Sequence, residues 1–125
     1  MSTYVIDVDN TICQTDESLP YDNLLTIRPV IDKINHLYSC GHEIILFTAR
    51  GMRSYMGDIE LINLNVRPVL EDWLHKNGVL YSRLVMGKPW GPSVIYVDDR
   101  SVRPDEFILN KENELINKEW HKQKS

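Results

Sequence analysis

The sequence predicts an α/β fold: a three-layer, Rossmann-like parallel sheet with helices on both faces and no separate cap domain. Three observations predict it. Short apolar β-type runs alternate with stretches of helical periodicity along 125 residues. The run Glu43-Ile44-Ile45-Leu46-Phe47-Thr48 is almost continuously apolar, the pattern of a parallel strand covered on both faces. Between Thr11 and Thr48 there is room for one helix only, and the stretch 52–66 is too short for a large cap.

The first strand is expected over about 3–8, with the sequence Thr-Tyr-Val-Ile-Asp-Val. The polar, turn-rich stretch 14–23 reads as a loop or small flap over the strand's end. Ile27, Val30, Ile31, Ile34, Leu37 and Tyr38 recur at helical spacing. Pro29 suits the first turn and Gly41 the stop, so the first helix spans about 29–40. The second strand is 43–48, and a less regular stretch, 52–66, follows with a short helix in it. Val69, Leu70, Trp73 and Leu74 mark the next helix, with Pro68 near its start and Gly78 just past its end. Leu84-Val85-Met86 is a third strand, and the loop 87–92 is too rich in Gly and Pro to be helical. Val94-Ile95-Tyr96-Val97 reads as a fourth strand. A turn is expected around 103–105. A polar helix over about 110–122 then buries Leu115, Ile116 and Trp120.

Length and composition suit a single domain over 1–125. The formal net charge of −4 leaves no basic surplus to neutralise a phosphate backbone, so nucleic acid is not expected as a partner. No apolar run approaches the roughly 18–20 residues that span a bilayer, so no membrane partner is expected either. No basic segment followed by an apolar core opens the chain, so a signal peptide is not expected and the cytoplasm is the expected location. Two cysteines, Cys13 and Cys40, make no disulfide framework; both are expected reduced and buried. There is no internal repeat and no low-complexity tract.

The chemistry gathers at one edge. A strand has period two, so Asp7 and Asp9 start on one side of the backbone at the first strand's end. Two carboxylates that close repel unless a cation or proton lies between them, which suggests a metal site or an acid/base pair. The plainer reading is a strand running into an acidic turn. Thr48 ends the second strand, Lys88 follows the third, and Asp98-Asp99 end the fourth. Each has an ordinary reading alone, as a turn cap, a solvated lysine or an exit turn. In a parallel sheet all four ends share one edge, where α/β proteins bind ligands. Carboxylates with a hard cation describe a Mg²⁺ site. Lys88 offers a charge and Thr48 a donor to phosphate oxygens. An Asp can attack phosphorus, and a neighbouring carboxyl can act as acid and then base.

These residues resemble the signature of the haloacid dehalogenase-like phosphohydrolases: Asp7-Val8-Asp9-Asn10-Thr11, then Thr48, Lys88 and Asp98-Asp99, in the family's order. The likeness covers nearly the whole chain. More narrowly, 47–50 (FTAR), 87–90 (GKPW) and 96–107 resemble small phosphatases of bacterial capsule biosynthesis. The resemblance implies that Asp7 attacks phosphorus and that Asp9 protonates the leaving alcohol and then activates water. It implies that Thr48 and Lys88 hold the phosphate. It places Mg²⁺ on Asp7, the Asp9 main-chain carbonyl and Asp98, with Asp99 acting from behind. An acid at Asp9 favours a phosphatase over a dehalogenase. The family's commoner Gly is Asn10 here, which tolerates left-handed backbone.

Asn10, Arg50, Arg53, Tyr55 and Trp90 flank these motifs as candidate substrate contacts; surface charge and ordinary packing are the alternative for each. The histidines His36, His42, His75 and His121 are scattered and receive no role. The expected substrate is a small phosphorylated metabolite, such as a sugar or polyol phosphate. Without a cap, the flap or a neighbouring subunit of a homo-oligomer would cover the site. The alternatives are a phosphatase for a protein or nucleic-acid end, a phosphoacceptor signalling domain, or a catalytically idle binding protein. Receiver domains place their adjacent acids on the first strand, whereas here the adjacent pair follows the fourth.

Overall fold

The computed structural model describes residues 1–15, 18–97 and 101–116. The chain divides into two compact units, Met1–Val94 and Ile95–Ser125. The first contains β1 (Thr3–Asp7), a short 3-10 turn (Tyr21–Asn23), α1 (Arg28–Ser39), β2 (Glu43–Thr48), α2 (Ile59–Asn65), α3 (Arg67–Lys76) and β3 (Arg83–Met86). The second contains α4 (Pro104–Leu109) and α5 (Glu112–Ile116).

The strands form one parallel sheet in the order β1-β2-β3, flanked by helices on both faces, with no separate cap domain. Asp7 lies opposite Phe47, and Thr48 opposite Met86. The register therefore sets the C-terminal ends of all three strands along one edge. The Lys88 amide donates to the Thr48 carbonyl at 3.0 Å, which carries this edge into the loop after β3.

Periodicity explains the elements. α1 buries Val30, Ile31, Ile34 and Leu37, the stripe expected of an amphipathic helix. Pro29 sits in its first turn and Cys40 closes it, one residue before Gly41. α2 starts at Asp58, whose carboxylate accepts from the Glu60 and Leu61 amides at 3.1 and 3.3 Å. Leu70, Trp73 and Leu74 bury the inner face of α3. The core gathers Ile6, Val8 and Ile12 with Ile44, Leu46, Ile62 and these helix residues.

Four expectations are corrected. First, β2 alternates: Ile44 and Leu46 are fully buried, whereas Ile45 and Phe47 are only partly covered. A continuous apolar run does not itself show that both faces are equally covered.

Second, residues 94–97 are not a strand, and Ile95 and Val97 are 84% and 92% exposed. β-branched composition favours a pleated surface, but a strand exists only within a ladder, and the sheet among the described residues is made of β1, β2 and β3.

Third, the stretch 103–105 is a helix entrance. Pro104 opens α4, and the Arg103 amide donates to Glu106 Oε1 at 3.1 Å. The expected helix over 110–122 is described as far as Ile116, with Leu115 half-buried; Trp120 and His121 lie outside the described residues.

Fourth, Cys13 is buried but Cys40 is exposed. It closes α1 on the solvent side, where Sγ lies 3.7 Å from His36 Nε2.

Candidate active site

The end of β1 turns sharply. The Ile12 amide donates to the Val8 carbonyl at 2.9 Å, and the Asn10 amide to the Cys13 carbonyl at 2.8 Å. Asn10 has φ of 61°, the left-handed region that Asn accepts more readily than most residues. Its Oδ1 accepts from the Thr15 amide at 3.1 Å and the Thr15 hydroxyl at 2.7 Å. Of the candidate contacts, Asn10 thus has its carbonyl oxygen engaged within the turn.

The flap leaves this turn and returns beside it. Gln14 donates to the Leu25 carbonyl at 2.9 Å and Ile27 to the Ile12 carbonyl at 2.8 Å, closing its base. The far end is tied to α3. Trp73 Nε1 donates to the Leu24 carbonyl at 2.9 Å, and Lys76 Nζ to the Asp22 carbonyl at 3.0 Å. The turn 21–23 and these α3 anchors were not legible in the sequence, where 14–23 read only as polar.

Each described carboxylate at the end of β1 faces a cation. Lys88 Nζ lies 3.3 Å from Asp7 Oδ1. Arg50 Nη2 donates to Asp9 Oδ1 at 2.7 Å. Burial pushes the Asp7 carboxyl above its ordinary value; the Lys88 charge and hydrogen bond oppose this, and the nearby Asp9 charge adds to it. Cys13 packs under Asp9, with Sγ 3.6 Å from Oδ1. Its thiol is pushed up to about 12, chiefly by burial and then by the Asp9 charge, so it stays protonated.

Thr48 is fully buried at the end of β2. Its Oγ1 accepts from the Arg50 amide at 3.0 Å and stands 3.5 Å from Asp9 Oδ2. The hydroxyl therefore caps the turn after β2 and faces the carboxylate as well. Arg53 and Trp90 are exposed and Tyr55 is half-buried. Asp98 and Asp99 lie outside the described residues.

The donor chemistry suits a hard cation, because Asp7 and Asp9 offer carboxylate oxygens and Asp7 carries a desolvation that Lys88 does not cancel. Among the described residues no group of three His, Cys, Asp or Glu is placed to hold a metal. No described helix is long and apolar enough to cross a membrane.

The parallel sheet thus carries Asp-x-Asp leaving its first strand, Thr closing its second and Lys after its third. A structural-genomics target protein of Vibrio cholerae is 38% identical, with TM-score 0.86 over 92% of this chain and 94% of that one. The chain belongs to the same family as that protein. One chain of a Pnkp1/Rnl/Hen1 complex is 20% identical, with TM-score 0.53 over 86% of this chain and 34% of its own, and shares the fold alone. A D,D-heptose 1,7-bisphosphate phosphatase of B. bronchiseptica is 19% identical, with TM-score 0.49 over 74% of this chain and 52% of its own. No protein-family model and no curated protein matches the chain.

Proposed function

We propose that the chain, as one domain over 1–125, is a cytoplasmic Mg²⁺-dependent phosphomonoester hydrolase. Its substrate would be a small phosphorylated metabolite, of the sugar or polyol phosphate kind that the narrower sequence likeness to capsule phosphatases suggests. The observation that carries the reading is the end of β1. Asp7 stands beside the Lys88 ammonium, and Asp9, two residues on, is held by Arg50 near the Thr48 hydroxyl.

In this reading Asp7 attacks phosphorus, forming an oxygen–phosphorus bond as the bond to the leaving alcohol breaks. Asp9 gives its proton to that alcohol oxygen. Water then attacks the phosphoryl group on Asp7, the bond to Asp7 breaks, and Asp9 takes the proton from water. Lys88 balances phosphate charge, and the Thr48 hydrogen turns from Asp9 toward a phosphate oxygen. Asp7, Asp9, Asp98 and Asp99 would hold Mg²⁺, with Asp9 using its main-chain carbonyl and Asp99 acting from behind. The cation would supply charge stabilisation for the transferring phosphoryl group. The acidic net charge of −4 favours a small substrate over a nucleic-acid end.

The test is hydrolysis of p-nitrophenyl phosphate by the native chain and by Asp7→Asn, with Mg²⁺ and with a chelator. Mg²⁺-dependent release, lost in the variant, is expected. Equal release by Asp7→Asn would remove the covalent mechanism. Asp9→Asn should in turn trap phosphate on Asp7.

A further inference from the structure

We propose that Arg50 is a positioning residue for Asp9. It holds Oδ1 in place and leaves Oδ2 as the oxygen that exchanges a proton with the leaving group and with water. The inference rests on the acid/base role proposed for Asp9.

Arg50 is the second residue past the end of β2 at Thr48, yet its side chain turns inward and is 2% exposed. A buried guanidinium is costly unless it is paired and hydrogen-bonded. Its strong bond is Nη2 to Asp9 Oδ1, at 2.7 Å. The same nitrogen reaches Cys13 Sγ at 3.7 Å. The Tyr21 ring of the flap covers the guanidinium, 4.4 Å from its carbon. Among the described residues, Nη1 is buried with no hydrogen-bond partner. An unsatisfied buried donor destabilises the fold. The chain thus keeps a buried cation whose donors are incompletely used, and its one short bond is to Asp9.

The two oxygens of Asp9 are not equivalent. Oδ1 takes the 2.7 Å bond and also lies against Cys13. Among the described residues Oδ2 has only long approaches, 3.4 Å from Arg50 Nε and 3.5 Å from Thr48 Oγ1. The Asp9 side chain remains 25% exposed, so a reacting group can reach it. In the first half-reaction the Oδ2 proton passes to the leaving oxygen as the Asp7–phosphorus bond forms. In the second, Oδ2 takes a proton from water as that bond breaks. Positioned proton transfer of this kind contributes about 10²–10⁴-fold. A freely turning carboxylate would forfeit part of it.

The experiment follows p-nitrophenyl phosphate with Mg²⁺ in the native chain, Arg50→Lys and Arg50→Ala. Nitrophenolate leaves without a proton, so the phosphoenzyme still forms and its hydrolysis exposes the defect. We expect a burst of about one nitrophenol per chain in Arg50→Ala, then a steady rate lower by about 10²-fold, with KM falling in parallel because kcat/KM reports the unimpaired formation of the phosphoenzyme. Millimolar guanidinium ion should restore part of the rate in Arg50→Ala and none in the native chain. Arg50→Lys keeps a charge and tests the role if the alanine variant does not fold. It should lose about 10-fold in kcat at near-native kcat/KM, because an ammonium lacks the planar fork. Native kcat in a folded variant overturns the inference. So does a raised KM at unchanged kcat, which would make Arg50 a substrate contact. So does failure of guanidinium to rescue folded Arg50→Ala. A native chain without Asp7-dependent turnover removes the phosphatase reading and this inference together. Native turnover indifferent to Arg50 removes this inference alone.

Discussion

Lys88 Nζ stands 3.3 Å from Asp7 Oδ1, and the Asp7 carboxyl is nonetheless held above its ordinary value of 3.8. Burial is the largest cause and favours the neutral form; Lys88 and the Val8 backbone oppose it. The folded chain therefore holds this proton to higher pH than the unfolded chain does. Where the folded state binds more protons, stability falls as pH rises. In chelator, the stabilising share is complete below 3.8 and is lost as pH climbs through the raised folded value. Urea unfolding of the native chain and of Asp7→Asn should show the native chain losing ground to the variant across that window. A gain instead would mean that Lys88 outweighs burial. With the Asp7 side chain 36% exposed, solvent screening keeps the effect modest.

The flap depends on a bond from α3, far along the chain. Trp73 is almost fully buried, and its Nε1 donates to the Leu24 carbonyl. Trp73→Phe keeps a ring in the core but leaves that carbonyl without its donor. The cost should be about 1–3 kcal/mol in urea unfolding. Proteolysis should also quicken within 14–23 more than elsewhere. Unchanged cleavage there would mean that the base of the flap and Lys76 hold it without the tryptophan.

Cysteine reactivity should divide cleanly. The Cys13 thiol, pushed up to about 12 and buried, offers no thiolate at pH 8. Cys40 is exposed. Iodoacetamide at pH 8 should label Cys40 alone, as read by mass spectrometry of peptides, and Cys13 only after denaturation. Equal labelling of both in the folded chain would show that the pocket under Asp9 opens readily.

What the sequence revealed follows from what periodicity encodes. Glu43–Thr48 was legible end to end because polar residues bound an apolar run. α1 and α3 were legible because their apolar stripes sit between a proline and a glycine. Asp7, Thr48 and Lys88 reach one edge because parallel strands share an end. The inward turn of Arg50 was not legible. It depends on a contact to Asp9 across 41 positions, which no local pattern carries. Tyr21 meets Arg50, and Trp73 meets the end of the flap, in the same long-range way. The run 94–97 shows the converse: its composition suits a strand, but composition does not supply a partner.

Gly51 is where the backbone itself carries the site's geometry. It follows Arg50 with φ of 86°, a region costly to any residue with a Cβ. A Cβ there would stand 2.8 Å from Val66 Cγ2 and 3.3 Å from Ile62 Cγ1. Both neighbours are β-branched, with few rotamers to retreat into. Gly51→Ala should therefore cost about 1–2 kcal/mol from backbone strain, with more from the overlap. At about 4–8 °C per kcal/mol for a domain near this size, the fall in Tm is large enough to read by calorimetry. If relief comes from the backbone, the shift passes to Arg50, and the variant should lose turnover beyond its loss of stability. Near-native Tm would show that α2 moves aside freely; native turnover with a lowered Tm would show that Arg50 keeps its place while the strain is absorbed toward Val66.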